Sequence, residues 1–221
     1  MMKTISTYVR SFTAVAFWHR VPWRQITGLL CILAVGLCFW LDMEQSQLAD
    51  KMLRLHVLAN SDSKEDQALK LKVRDELLVE VQPWLEQQAD VMGVKEALKA
   101  RIPDMTKMAE AVIAREGYSY PVHVELEETW FPTRTYEGFA LPAGKYEALR
   151  IVIGEGNGKN WWCVVFPPLC LASSTETVTE EANKAGLDDQ QVFLILEDEE
   201  QYVIKFRAIE MWENLKHHFE G

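Results

Sequence analysis

The chain has 221 residues, 48% of them apolar, and a formal net charge of −10. That size suits one globular domain with an appendage. The charge is unevenly divided: residues 1–41 hold no Asp or Glu, so the remaining 180 carry −14, which rules against nucleic acid and anionic lipid as partners of that part.

Lys3, Arg10, Arg20 and Arg24 precede the uncharged run QITGLLCILAVGLCFWL (Gln25–Leu41), and Asp42, Glu44 and Asp50 follow it. A bias of this sign keeps the N-terminus in the cytoplasm and sends the rest outward. Seventeen helical residues rise about 25 Å against a hydrocarbon core of ~30 Å. This suits either a short membrane anchor, with Trp23 and Trp40 near its ends, or the apolar region of a signal peptide. The small-residue pairs that could mark cleavage lie inside the run, and Leu37 before Cys38 spoils a lipoprotein box. An export signal-anchor is the reading, with later cleavage open. The chain thus divides into a basic N-terminus (1–25), an apolar segment (26–41), an acidic linker (42–51) and an extracytoplasmic domain (52–221). Cys163 and Cys170 are the two cysteines of the outer part, and read either as one disulfide or as two buried thiols.

Met52–Ala59 alternates Leu53, Leu55, Val57 and Ala59 against Met52, Arg54, His56 and Leu58, a strand signature with one wholly apolar side. Ser61, Asp62 and Ser63 then offer three helix N-caps, and Ser63 with Asp66 approximates a capping box. From Lys64 to about Leu85 the pattern is helical, with Leu71, Leu78, Val81 and Leu85 on one face, widened by Leu77 and Trp84. Arg74 projects into that stripe, so it needs either a partner, such as Asp75 or Asp62, or a route for its guanidinium to water. Val94–Ile102 reads as a short helix, and a second starts at Pro103 and stops at Gly117. Tyr120–Trp130 alternates as a strand. The segment YEALRIVIGEGNGKNWWCVVFPPLC gives two strands joined by the glycine-rich turn Gly154–Asn160. Residues 172–190 are a polar excursion with a helical turn or two, and Val192–Leu196 is strand or buried helical turn. Tyr202–Phe206 reads as a strand, followed by an amphipathic helix marked by Ile209, Trp212, Leu215 and Phe219. The whole is a single α+β domain, two layers with a mixed or antiparallel sheet and packed helices.

The sequence carries no local signature of catalysis. Gly158-Lys159 lacks the spacing and the Ser/Thr of a phosphate loop, and strand rather than helix follows it. The histidines lie in separate segments, no Gly-x-Ser-x-Gly elbow occurs, and Cys163 sits in an apolar strand where burial opposes thiolate formation. The reading is no enzyme, no catalytic or metal-binding residues and no cofactor. Adjacent Trp161 and Trp162 on a strand must face opposite sides; one enters the core, and the other is covered within the domain or left as a docking anchor. The polar corner Asn60–Asp62 reads as a strand-to-helix cap, with a direct contact site as the other reading.

The blocks LRLHVLANSDSKEDQALKLKVRDELL and LPAGKYEALRIVIGEGNGKNWWCVVFPPLC resemble the two signature blocks of the stage II sporulation protein R family, in order, spacing and position behind an export segment. The resemblance covers about residues 50–170. It implies a signalling protein exported across the forespore membrane into the space between forespore and mother cell. There it would trigger a membrane-embedded aspartic-type protease that processes the mother-cell sigma E precursor. The candidate contacts for that partner are Asn60, Asp62, Trp161 and Trp162, with membrane contact through residues 26–41. The rival reading is an exported cell-wall hydrolase or carbohydrate-binding domain, its aromatics stacking on sugars.

Overall fold

The computed structural model describes residues 23–85, 87–88, 90–169, 175–196 and 202–220; the side chains of 41, 175, 202–208 and 219–220 lie outside it. The chain forms two compact units, Met1–Trp40 and Leu41–Gly221. Helix α1 (Trp23–Ala49) is long and apolar enough to cross a membrane, and its side chains from Leu29 to Trp40 are largely exposed. Within the acidic linker, residues 42–49 continue α1, and Gln45, Leu48 and Ala49 are buried in the outer unit.

The outer unit is built on a four-stranded mixed sheet in the order β2–β5–β1–β6, comprising β1 (Leu53–Leu58), β2 (Val122–Phe131), β5 (Gly144–Ile153) and β6 (Asn160–Phe166). Strand β1 runs parallel to β5 and antiparallel to β6, while β2 pairs antiparallel with β5. The α+β class and the mixed sheet stand as expected. The glycine-rich connection, however, does not close a hairpin. β5 and β6 lie on either side of β1, so residues 154–159 cross over its end.

One face of the sheet is packed by α2 (Lys64–Leu85) and α3 (Val91–Arg115), with Leu55, Val57, Leu149 and Ile151 meeting Leu69, Val73, Leu77, Leu98, Met105 and Val112. The buried stripe of α2 runs through Asp66, Leu69, Lys70, Val73, Leu77, Val81 and Leu85, so Leu71, expected inside, is 38% exposed. Polar Asp66 and Lys70 occupy buried positions that an apolar-only reading of the period passes over. Helix α3 runs unbroken through Pro103, where two helices were expected. Pro removes one helical hydrogen bond and costs about 3 kcal/mol. The buried positions Val94, Leu98, Met105 and Ala109 continue in register across it, and their packing outweighs that loss. Asp90 caps the start, accepting from Gly93 N at 2.9 Å. Gly117 ends the helix at φ +85, with Tyr118 N donating to Ile113 O at 3.0 Å.

The other face is covered as well, by the end of α1, the small hairpin of β3 (Arg134–Tyr136) and β4 (Phe139–Leu141), α4 (Thr175–Lys184) and α5 (Asp189–Ile195). The ambiguous 192–196 segment is thus mainly helical, closed at its start by a capping box of Asp188 and Gln191. The 172–190 excursion is anchored rather than loose, with Val178, Ala182 and Leu187 buried. The strand expected at Tyr202–Phe206 is instead the first turn and a half of α6 (Tyr202–Glu220). The β-favouring run Tyr-Val-Ile-Lys-Phe carries only a weak local preference, and a helix formed downstream propagates back through it.

This second layer leaves all six residues of β1 buried, including Arg54 and His56 on the strand's mixed side. The Arg54 guanidinium lies 4.0 Å from the ring centroid of Phe131 and 4.8 Å from that of Tyr146, and its Nη2 donates to Tyr136 Oη at 2.6 Å. Two desolvated cation–π contacts supply about 2 kcal/mol each, part of the several kcal/mol that burying the charge costs. Burial, opposed by the charge of Arg54, pushes the Tyr146 phenol up to about 12. His56 sits between Phe131 and Trp162, with Nε2 3.0 Å from Asn160 Oδ1.

Burial lowers the His56 pKa, helped by Arg150 and Arg54 and opposed by the Asn160 hydrogen bond and Glu127. A depressed pKa stabilises the fold above the unfolded-state value and withdraws that stability as pH falls through the native one. The thermal stability of the chain should therefore fall between about pH 7 and about pH 5, and His56→Gln should flatten that slope. Parallel slopes for the two proteins would refute the assignment.

Candidate functional site

The corner between β1 and α2 gathers the polar residues that the sequence singles out. Asn60 Nδ2 donates to Asp66 Oδ2 at 2.9 Å, and Ser61 Oγ donates to the same oxygen at 2.6 Å. Ser63 is the cap of α2, its Oγ accepting from Asp66 N at 3.1 Å. These bonds close the corner on itself. A second set holds the crossing loop. Asn60 Oδ1 accepts from Glu155 N at 3.0 Å, Asp62 Oδ1 from Lys159 N at 2.6 Å, and Ala59 O from Gly158 N at 2.9 Å. Buried Lys70 adds a tie from α2, donating to Lys159 O and to Gln67 Oε1, both at 2.7 Å.

Two glycines permit the loop to lie so close. Gly154 adopts φ +61, and a Cβ there would stand 2.2 Å from Asn60 Oδ1; a Cβ on Gly158 would stand 2.2 Å from the backbone oxygen of Ser61. The corner is therefore a clamp. Asn60 is the residue common to both sets of bonds, which no spacing rule reveals, because its loop partners lie about a hundred positions away.

Trp161 and Trp162 occupy opposite faces of β6, both half-buried, and an arginine covers each. Arg74 of α2 lies 4.5 Å above the ring of Trp161, and its Nε donates to Asp75 Oδ1 at 2.7 Å. That answers how Arg74 can sit beside the apolar stripe: it serves as the lid of a tryptophan and pairs with its neighbour. Arg134 of β3 lies 3.8 Å above Trp162. The site residues thus fall into two groups. Asn60, Asp62 and Trp161 lie around one end of the sheet, whereas Trp162 points into the other layer with His56 and Phe131. Cys163 is disulfide-bonded; Cys170 lies outside the described residues.

Among the described residues no group of His, Cys, Asp and Glu is placed to hold a metal ion. A polar cavity of about 260 Å³ opens between Asp42, Gln45, Glu128, Trp130, Lys145 and Lys216. It mixes carboxylates and ammonium groups, with the His217 ring tilted against that of Trp130, their centroids 4.8 Å apart.

These features define an α+β module behind an apolar helix, with the polar residues of its first block holding its own crossing loop. Residues 49–176 match the family described as Stage II sporulation protein R. The chain is 36% identical over 153 residues to the Stage II sporulation protein R of Bacillus subtilis (strain 168), a match covering 68% of each chain. The chain belongs to the stage II sporulation protein R family. No solved structure matches it.

Two tests follow for the clamp. Asn60→Ala orphans Glu155 N and removes one donor from Asp66, and Gly158→Ala forces the loop off the corner. Each should cost about 1–3 kcal/mol in denaturant unfolding, against a negligible effect of Glu65→Ala on the exposed side of α2; equal midpoints for all three would discount the clamp. The second test is acid unfolding. Hydrogen bonds from Ser61 and Asn60 hold the Asp66 carboxyl below its ordinary range. Its contribution is present above the unfolded-state value and is lost as pH falls through the native one. Below about pH 4 the wild-type chain should lose stability faster than Asp66→Asn, and an identical acid limb in both would contradict this.

Proposed function

We propose that this chain is an exported sporulation signalling protein that binds and activates a membrane-embedded aspartic-type protease, leading to processing of the mother-cell sigma E precursor. The observation that carries the reading is the family match. It starts at residue 49, at the end of α1, so the family's region is the part that an export helix would deliver. The charge order supports the same direction, with basic residues before the apolar run and −14 after it. In this reading residues 26–41 cross the forespore membrane and the outer unit lies in the intermembrane space.

The chain acts by binding. An effector shifts its target only through a difference in affinity between the target's resting and active states, so the useful surface is one already shaped before contact. The clamped corner meets that requirement. Glu155 and Lys159 stand at its rim, held through their backbone N–H groups by Asn60 and Asp62. Trp161 and Trp162 contribute through the arginine-capped walls on the two sides of β6.

In a sporulating host lacking the gene, the sigma E precursor should accumulate uncleaved, and the wild-type chain should restore its processing. Asp62→Ala, at an unchanged level of the chain, should reduce processing severalfold. Processing that proceeds in the deletion host rejects the function; full processing with Asp62→Ala rejects only the corner as the contact.

A further inference from the structure

Between β1 and the β3–β4 hairpin the outer unit buries positive charge that no carboxylate of the described residues meets. Arg54 is wholly buried. Its Nη2 donates to the Tyr136 hydroxyl, but its Nε and Nη1 have no hydrogen-bond partner. Arg134 Nε and Trp162 Nε1 are likewise buried without one. All four are obligatory N–H donors. Native proteins leave few buried donors unmet, and an ordered water or an ion is the usual remedy. The ring faces around Arg54 offset part of the cost of burying it, yet these hydrogens still lack an oxygen acceptor.

The four groups belong to one constellation. Arg54 and His56 share a face of β1, and Arg134 and Tyr136 share a face of β3, on the side opposite exposed Thr135. Arg54 meets Tyr136, while Arg134 lies over Trp162, which in turn borders His56. The two arginines are therefore offset by one alternate-residue step, about 7 Å on a strand. Burial lowers the Arg134 pKa, opposed by Tyr136 and helped by the charge of Arg54, so the two guanidinium groups act on each other. Arg54 and His56 lie deepest, and half-buried Arg134, Tyr136 and Trp162 stand nearer the surface.

We propose that this constellation binds a small oxyanion, a phosphate or a carboxylate, between the guanidinium groups of Arg54 and Arg134. Guanidinium matches the oxygens of such anions, and its charge-assisted bonds are roughly twice as strong as neutral ones. The ligand is a free anion rather than a side chain of another protein, because Arg54 is closed to anything too large to pass the three outer residues. Its oxygens would accept from the donors left unmet and balance the buried charge. The β3–β4 hairpin forms a sheet of its own, and the anion would fasten it to β1 and β6. The inference does not rest on the protease reading.

The test uses the full chain in a non-ionic detergent, unfolded by heat at constant ionic strength made up with sodium chloride. Sodium phosphate or sodium acetate at about 10 mM should raise the midpoint saturably, by about 3–5 °C. Arg134→Gln and Arg54→Met should each remove the shift. Arg115→Gln, which deletes an exposed guanidinium at the end of α3, should keep it. The inference is overturned by the absence of a shift with either anion, by a shift that Arg134→Gln or Arg54→Met retains, and by one that Arg115→Gln loses. Where the site variants do not fold, equilibrium dialysis of labelled phosphate and labelled acetate against the wild-type chain decides. A single saturating site for either anion upholds the inference, and no bound anion overturns it.

Discussion

Strand β1 imposes the constraint from which the outer unit follows. It is bonded along both edges, to β5 and to β6, and buried on both faces. Since β5 and β6 are consecutive in the chain yet separated by β1, their connection has to cross the end of that strand. A loop in that place brings backbone against backbone, where every unpaired N–H costs free energy. The corner after β1 supplies acceptors for Glu155 N, Lys159 N and Gly158 N, and glycines at 154 and 158 keep side chains out of the gap. Conspicuous polar residues at a strand end invite a catalytic reading. Here their hydrogen-bonding capacity is committed to a topological problem.

The second consequence concerns the far side of the sheet. A strand buried on both faces should read as continuously apolar, and β1 does not, because Arg54 and His56 interrupt it. They are accommodated by aromatic rings rather than by carboxylates. The perpendicular rings of Phe131 and Tyr146 flank Arg54, Phe131 and Trp162 border His56, and Arg134 lies over Trp162. Among the described residues no carboxylate lies within ion-pair distance of Arg54, so ring faces and the Tyr136 hydroxyl carry the compensation. The same device appears on the opposite layer, where Arg74 covers Trp161. Arginine on tryptophan is thus the means by which this module finishes both walls beside β6. It favours planar guanidinium over lysine at positions 74 and 134.

What could be read from the sequence divides along physical lines. Local signals were legible. The alternation of β1 and β2, the Ser63 cap, the Gly117 stop and the period of α2 all depend on neighbours a few residues apart. The α+β class followed from their order. Errors arose where distant contacts decide. Alternation in 52–59 is the same whether one face is wet or both are covered, and only α4, α5 and the β3–β4 hairpin distinguish the cases. Pro103 is a stop signal that tertiary packing overrides, and the strand-like Tyr202–Phe206 is absorbed by a longer helix. Apolar character alone puts Leu71 and Leu215 inside, whereas Asp66, Lys70 and Glu213, each with a specific partner, take the buried positions. The corner residues were found from the sequence, but not their role, because the loop they hold is a hundred residues away.

The clamp and the signalling reading bear on each other through conformational entropy. A loop of six residues, several of them glycine, would lose much freedom on binding a partner, at roughly 1–2 kcal/mol per residue for the backbone. Tied by Asn60, Asp62, Ala59 and Lys70, it has already lost that freedom during folding, so little of the binding energy would be consumed in ordering it. Asn60 and Asp66 are then important to an interaction they need not touch, since releasing them restores the loop's disorder. A rim side chain that makes none of these ties, such as that of Glu155, behaves otherwise, because its loss leaves the loop ordered and removes a contact. Restraint and contact are separable here in a single measurement: a restraint residue alters both stability and binding, and a rim residue alters binding alone.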